Sequence, residues 1–386
     1  MKKKRVVVSV ISDLVTDQRV HRVCSFLHEN GFEVSLIGRK LKKSLPVENR
    51  DYTVKRIRSH FDKGVLKYAE FDLKLFFKIL FKKADLFLSN DLDTLVPNFI
   101  ISRLRGKKLV YDTHEYFTGM PELQKKPFKK RIWKTVEKFI LPKLKHAYTV
   151  SQSVADQYEK DYGIHLKVVR NTPVLTEQAP ETSEKIFPEE KKVLLLQGSG
   201  INMDRGAEEL IGSMKFLPEK FLLVLIGGGE AWKDLKKLPP EYGIENKVRF
   251  IEKLPPEELK KYTRGAYLGF SLDKPTNPNY RLSLPNKLFD YIHAGLPVIA
   301  SEIKEVKKIV DHYQVGAIIS EVTPEAIAKT ILMIENDQDQ YKKWRENTSK
   351  AAWDLCWQKE QIALKEIFEV VQSNISSGNP VLKNLL

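Results

Sequence analysis

Apolar residues in this chain alternate between short unbroken runs and longer stretches with a period near 3.6. Lys4 to Val10 is a run of the kind that forms a strand buried on both faces. The polar loop SDLVTDQRV and a helical pattern through Glu29 follow, Gly31 closes that helix, and Glu33 to Gly38 is the next strand. Val54 to Arg58 adds a further strand, and YAEFDLKLFFKILFKK from Tyr68 has helical spacing. ADLFLSND is a strand ending at Asn90 and Asp91, and TLVPNFIISRLRG a helix closed by Gly106. KKLVYDTHEYF is a strand that breaks into the polar cluster Asp112, Thr113, His114 and Glu115. AYTVS, VADQYEKDYG and KVVRNTP then read as strand, helix and strand.

TEQAPETSEKIFPEEKK has no period and holds two prolines, which marks a linker. A second series begins after it: the strand VLLLQG, a Gly-rich turn into the helix of SGINMDRGAEELIGSM, and the strand FLLVLIGGGE with its triple-glycine turn. NKVRFIEKL, PPEELKKYTRGA, YLGFSL, GAIIS and PEAIAKTILMIEND continue the alternation, and the tail from Tyr341 is helical in pattern to about Gln372, before a frayed end. The pattern predicts an α/β protein of two parallel-sheet domains. The first covers 1–174, a linker 175–192, the second 193–357, and a last helix and tail 358–386.

One stretch concentrates several signals. In YRLSLPNKLFDYIHAGLPVIAS, Ser283 and Pro285 suit the first turn of a short helix from Asn286 to His293, with Ser283 as a capping hydroxyl. Gly295 fits a left-handed end, and Val298–Ala300 is a buried strand. The N-terminus of such a helix attracts an anion such as phosphate. Lys287 adds a cation there, and Asp290, one turn on, is a carboxylate suited to a ribose diol.

The charge is unevenly divided. Residues 1–175 hold 36 Lys and Arg against 19 Asp and Glu, a surplus of 17, whereas the remainder holds 29 against 31. A uniformly basic chain would suit nucleic acid; this asymmetry points instead to one domain facing an anionic partner. Lys125 to His146 is dense in Lys and Arg interleaved with Phe128, Ile132, Trp133 and Phe139. It is either an amphipathic basic helix for a membrane surface or a domain helix with a solvated lysine face. No apolar run reaches the roughly 20 residues that span a bilayer, MKKKR leads straight into a strand without a signal-peptide pattern, and Cys24 and Cys356 give no disulfide framework. These features predict a cytoplasmic protein, peripheral on the inner face of the cytoplasmic membrane if the basic helix docks there.

No G-x-G-x-x-G follows the first strand, and no phosphate-binding P-loop, G-x-S-x-G or metal-ligand spacing occurs. Asp91-Leu92-Asp93 follows a strand and is read as a helix cap rather than a metal pair. Asp17 and Arg19 stand where the first loop meets the ligand crevice of a parallel sheet, either as site residues or as a cap and a surface arginine. In the second half, Gly198 and Gly200 permit close backbone approach, Arg205 opens a helix, Gly227, Gly228 and Gly229 form a tight turn, and Phe250 and Ile251 could hold a base.

Taken in order, D-x-R-V from Asp17, YDTHEY, TVS, RN, LIGGG, VRF and SLPNKLFDYIHAGLPVIA resemble the retaining glycosyltransferases of the GT-B fold, family 4, over nearly the whole chain. The tail's Trp357 is similar to the tryptophan that opens the family's last helix. The resemblance implies two Rossmann-like domains facing across a cleft, with that helix crossing back to the N-terminal domain. It implies a UDP- or GDP-sugar donor on the C-terminal domain, a glycan or lipid-linked acceptor on the N-terminal domain, and no metal or other cofactor. By motif, His114 contacts the donor sugar, Arg205 and Lys287 neutralise the diphosphate, Asp290 binds the ribose, and Ile251 flanks the base. Gly198, Ser199, Gly200, Gly228, Ser283, Leu284, Pro285 and Asn286 complete the nucleotide-sugar site, while Asp17, Arg19 and Glu115 face the acceptor. Two positions depart from the pattern: Leu282 stands where the first acid of E-x7-E belongs, and Ser199 or Gly200 where many relatives carry an arginine.

The expected function is therefore sugar transfer with retention of configuration, extending a cell-envelope glycan or glycolipid. The alternatives are a GT-B epimerase acting on a UDP-sugar and a non-catalytic carbohydrate- or membrane-binding scaffold. His114 as a purely structural histidine is the alternative at that position. Nucleic-acid binding has no motif behind it.

Overall fold

The computed structural model describes residues 3–376 except 16, 42, 43, 45, 48, 62, 63 and 177–185. Half of the expected linker (177–185) and the last ten residues of the tail therefore lie outside the described residues. The chain forms two compact units, one of residues 1–170 with 361–386 and one of residues 171–360.

The first unit is built on a seven-stranded sheet. Its strands are β1 (Lys4–Asp13), β2 (Phe32–Lys40), β3 (Thr53–Arg58), β4 (Leu86–Asn90), β5 (Lys108–Thr113), β6 (His146–Thr149) and β7 (Lys167–Val168). They lie in the order β3-β2-β1-β4-β5-β6-β7, and every pairing is parallel. Parallel strands need crossover helices, so both faces are covered and the central strands carry apolar runs, with polar residues such as Asn90 and Asp112 at their carboxyl ends. Val6, Val7 and Val8 of β1 and Leu86, Phe87 and Leu88 of β4 are almost fully buried. The helix Gln18–Glu29 links β1 to β2, and the helices Gly64–Leu80, Leu95–Leu104 and Pro127–Ile140 link the strands from β3 to β6. The last helix of the chain, Trp357–Ser376, enters this unit at Gln361 and sets Phe368 edge-on against Phe32 of β2.

The second unit is a six-stranded sheet of β8 (Lys192–Gly198), β9 (Phe221–Gly227), β10 (Val248–Glu252), β11 (Leu268–Ser271), β12 (Val298–Ser301) and β13 (Gly316–Ile319). Its order is β10-β9-β8-β11-β12-β13, again all parallel. Both sheets reverse strand order once, between β1 and β4 and between β8 and β11. At such a reversal the loops leaving neighbouring strands diverge to opposite faces and open a crevice at the carboxyl ends of the strands.

The helix Asn286–His293 runs over the span its apolar spacing predicts, Gly295 is left-handed with φ 73°, and β12 is buried. Its start differs from expectation. No side chain caps this helix, and the Ser283 hydroxyl instead donates to the Tyr280 carbonyl at 2.9 Å, closing the preceding turn Pro278–Leu282. The expected single basic helix from Lys125 to His146 is also shorter, because Pro127 starts it and Pro142 permits only a 3₁₀ turn after Ile140.

Candidate functional site

In the second unit the site is assembled at the reversal between β8 and β11. Two glycine loops make its floor. The amide of Gly228 donates to the Gly198 carbonyl at 3.4 Å, and that of Ile201 to the Gly228 carbonyl at 2.6 Å. A Cβ at Gly227, where φ is 145°, would overlap the Gly198 carbonyl, so only glycine allows the two loops to approach this closely. Ser199 and Gly200 are exposed at the lip of the floor, and Gly228 is buried beneath it.

Arg205 is held by a contorted turn. Asp204 and Gly206 on either side have φ of 64° and 76°, and a Cβ at Gly206 would strike Leu272. A left-handed aspartate costs conformational energy that the surroundings must offset. The turn delivers the Arg205 guanidinium to Asp273, just past β11, where Nη1 donates to Oδ1 at 2.8 Å. The guanidinium also lies over the Tyr280 ring at 4.4 Å.

Lys287 approaches the other oxygen of the same carboxylate at 3.8 Å, with its side chain only 10% exposed. Burial and the nearby Arg205 charge lower its pKa, while Asp273 opposes them. Two cations therefore share one buried carboxylate, leaving a net positive charge beside the uncapped start of the Asn286–His293 helix. Nε of Arg205 and Oδ2 of Asp273 are both buried without a hydrogen bond among the described residues. Such an arrangement suits an anion with several oxygens.

The remaining expected donor-site residues have varied placements. Asp290 accepts from Gln197 Nε2 at 3.2 Å, and Gln197 is in turn fixed by the Thr263 hydroxyl at 2.8 Å. Ile251 sits half-buried on β10, paired in register with Ile226, whereas Phe250 turns its ring edge-on to Trp232 and serves the core. Leu284 is buried, Pro285 half-buried and Asn286 exposed.

In the first unit, His114 follows β5 and Asp91 follows β4. The imidazole Nδ1 is 3.1 Å from Asp91, and Nε2 is 3.2 Å from Asp112. Asp91 also accepts the His114 backbone N–H at 2.9 Å. Burial disfavours a charged ring, but the two carboxylates outweigh it and raise the pKa well above the usual histidine range. Both ring nitrogens are thus engaged as donors, so a substrate contact requires His114 to exchange one of these partners. Asp91 does not cap the next turn with its side chain; it has φ of 58° and is turned to His114.

Arg19 is not a surface residue. It is 3% exposed, forms two bonds to the fully buried Asp112 at 2.8 and 3.0 Å, and donates to the Val169 carbonyl at 2.9 Å. Desolvation by burial raises the Asp112 pKa, but Arg19 and His114 prevail and hold it down to about 2. Asp17 caps the Gln18–Glu29 helix by accepting from the Val20 N–H at 3.0 Å, and it also receives the Ser12 hydroxyl. The carbonyl of Glu115 accepts from Thr113 and Tyr158 at 2.9 and 3.3 Å. Of the expected acceptor-side residues, Arg19 is consumed by a structural ion pair, because a buried carboxylate demands a partner.

Sequence reading missed Asp273. Its only signal was its place directly after the buried strand YLGFSL, at the carboxyl end of a parallel strand. Tyr291 was likewise read only as part of a motif, yet its buried hydroxyl links the Gln197 amide at 3.1 Å to the carbonyls of Leu195 and Phe270 at 3.2 Å, tying β8 to β11.

The chain matches two family models: Glycosyltransferase Family 4 over residues 17–172 and Glycosyl transferases group 1 over residues 178–351. It is 21% identical to the chitobiosyldiphosphodolichol beta-mannosyltransferase of Candida glabrata, over 94% of this chain and 91% of that protein. Among solved structures, the sucrose-phosphate synthase of Thermosynechococcus elongatus superposes with a TM-score of 0.79 at 16% identity, covering 96% of this chain and all of that one. An Anabaena protein in complex with UDP-glucose gives 0.72 at 15% identity, covering 96% and 99%. The two parallel sheets carry the GT-B architecture, and the two matched domains in succession make this chain a glycosyltransferase of the GT-B type.

Proposed function

We propose that the second unit binds a UDP- or GDP-sugar and that the sugar passes, with retention of configuration, to a hydroxyl of a glycan or lipid-linked acceptor. The observation that carries this reading is the sharing of Asp273 by Arg205 and Lys287 beside an uncapped helix start. In the transfer, the bond between the sugar's anomeric carbon and the β-phosphate oxygen breaks and the acceptor oxygen bonds that carbon. The acceptor proton passes to the departing phosphate. Negative charge therefore develops on the nucleoside diphosphate, where Arg205, Lys287 and helix N–H groups stabilise it. These cations take the place a metal ion occupies in other transferases. Asp290, steadied by Gln197, is the carboxylate for the ribose diol. The UDP-glucose complex of the Anabaena protein supports a nucleotide-sugar donor, and the name of the Candida relative supports a lipid-linked acceptor.

The test is calorimetric binding of UDP, GDP and ADP to wild type and to Arg205→Ala. One diphosphate is expected to bind and to lose about 10- to 100-fold in affinity in the variant, the worth of a hydrogen bond to a charged group. Binding of none would bring the scaffold alternative forward. Once the donor is known, the anomeric coupling constant of the product and turnover in excess EDTA check retention and metal independence.

A further inference from the structure

We infer that one face of the first unit is a docking surface for an anionic lipid bilayer, formed jointly by the helices Gly64–Leu80, Leu95–Leu104 and Pro127–Ile140. The crossovers from β3 to β4, β4 to β5 and β5 to β6 all advance in the same direction across the sheet. Because such crossovers are right-handed, the three helices lie on one face, opposite Gln18–Glu29. They touch as a layer: Tyr68 meets Trp133 edge-on at 5.4 Å and Phe99 meets Phe139 at 6.4 Å.

The inward side of Gly64–Leu80 is an ordinary core face, with Phe71, Leu75 and Ile79 fully buried. Its outward side is the anomaly. Leu66, Ala69, Leu73 and Phe77 recur at spacings of three and four residues and form a stripe exposed to solvent. Phe81, directly after the helix, is 85% exposed. Phe128, Ile132 and Phe139 make a second exposed stripe on Pro127–Ile140, with Phe128 at 75%, and Ile100 and Leu104 add a third on the helix between. Scattered exposed apolar residues are normal, but aligned stripes on three packed helices are not.

Charge identifies the occupant. Residues 125–145 contain nine Lys and Arg and a single carboxylate, Glu137. That carboxylate is buried, bonded to Thr118 and Tyr162 at 2.9 and 2.6 Å, and offers nothing to the surface. Lys130, Arg131, Lys134 and Lys138 line one open groove with Thr135 and Phe139. On Gly64–Leu80, Glu70 is occupied by Lys74 and the backbone N–H groups of His60 and Phe61. A second copy of this chain would set these cations against their equals. A surface of phosphate headgroups over hydrocarbon meets both the cations and the stripes. No described helix is long and apolar enough to cross a membrane, so the docking is along the surface.

The test is flotation of the full chain with vesicles of phosphatidylcholine alone and of phosphatidylcholine with phosphatidylglycerol. It compares wild type, Leu73→Ser/Phe77→Ser and Lys134→Glu/Lys138→Glu, with sedimentation velocity on each. Wild type is expected to float only with the anionic vesicles, less so at high salt. The charge reversal should weaken binding by about 25-fold or more, at roughly fivefold per basic residue near the surface. The stripe variant should lose flotation while melting no lower than wild type, since both side chains are exposed. Absence of flotation, equal flotation of the variants, equal binding to neutral vesicles, or a wild-type dimer that the stripe variant dissolves would each overturn the inference. None of these outcomes depends on which donor the second unit takes.

Discussion

The Arg205 guanidinium and the Asp273 carboxylate meet at 2.8 Å, with Arg205 26% exposed and Asp273 1%. The carboxylate thus occupies the place of an anion at a site whose remaining charge is positive. Asp273→Asn is expected to lower stability by about 1–3 kcal/mol, because it leaves two partly buried cations without their counter-charge. A bound diphosphate should then stabilise the variant more than it stabilises wild type, through linkage. Thermal unfolding with and without the diphosphate measures both effects; an equal ligand shift in the two proteins would separate Asp273 from the anion site.

Arg19 carries a different expectation. Arg19→Ala strands the buried Asp112 and should cost about 3–5 kcal/mol in urea unfolding of the first unit. A loss below about 1 kcal/mol would show that His114 alone satisfies Asp112.

The charge on His114 is open to direct measurement. Its folded pKa is raised by Asp91 and Asp112 against the opposing effect of burial. Its stabilising contribution is therefore complete below about pH 6.5, the unfolded value, and is lost as pH rises through the folded one. The imidazole proton shifts in NMR should remain those of the charged ring at pH 7, and Asp91→Asn should bring the titration down. A wild-type titration midpoint at or below 6.5 would contradict the ion-pair geometry.

Asp72 gives the opposite kind of test. Burial pushes its carboxyl up to about 8, and Oδ1 has no hydrogen-bond partner. The folded state holds this proton between about pH 4 and 8, so the group costs stability progressively as pH rises through that window. Asp72→Asn should raise the melting temperature at pH 9 by about 2 °C or more and change it little at pH 4. A gain of the same size at both pH values would mean that charge is not the cause.

Strands were legible because parallel sheets bury both faces, and runs such as VVVSV and LLLQG admit few other readings. The helix Asn286–His293 was legible because proline and glycine punctuate it at both ends. Individual side-chain partners were not. The Ser283 hydroxyl can accept from the N–H groups of the helix after it or donate to a carbonyl of the turn before it, and sequence cannot tell a cap on the next helix from a bond back to Tyr280. Arg19 resembles any helix-surface arginine until β5 brings Asp112 beneath it from 93 positions away. Asp273 was invisible for the same reason, since its meaning comes from Arg205 and Lys287, neither of which is a sequence neighbour.

The path of the chain through its two units has a consequence for synthesis. Everything needed for the sheet of the first unit has been synthesised by Arg170, yet Leu364, Phe368 and Val371, all buried, belong to that unit and are made only after the second unit. The second unit is continuous, and its entry and exit are clasped together, with the Trp357 N–H donating to the Pro173 carbonyl at 2.7 Å and Gln358 bonded to Leu175 at 2.9 and 3.0 Å. A nascent chain can therefore finish the later-made unit first, while the earlier-made one waits with part of its apolar surface uncovered until the final helix is released.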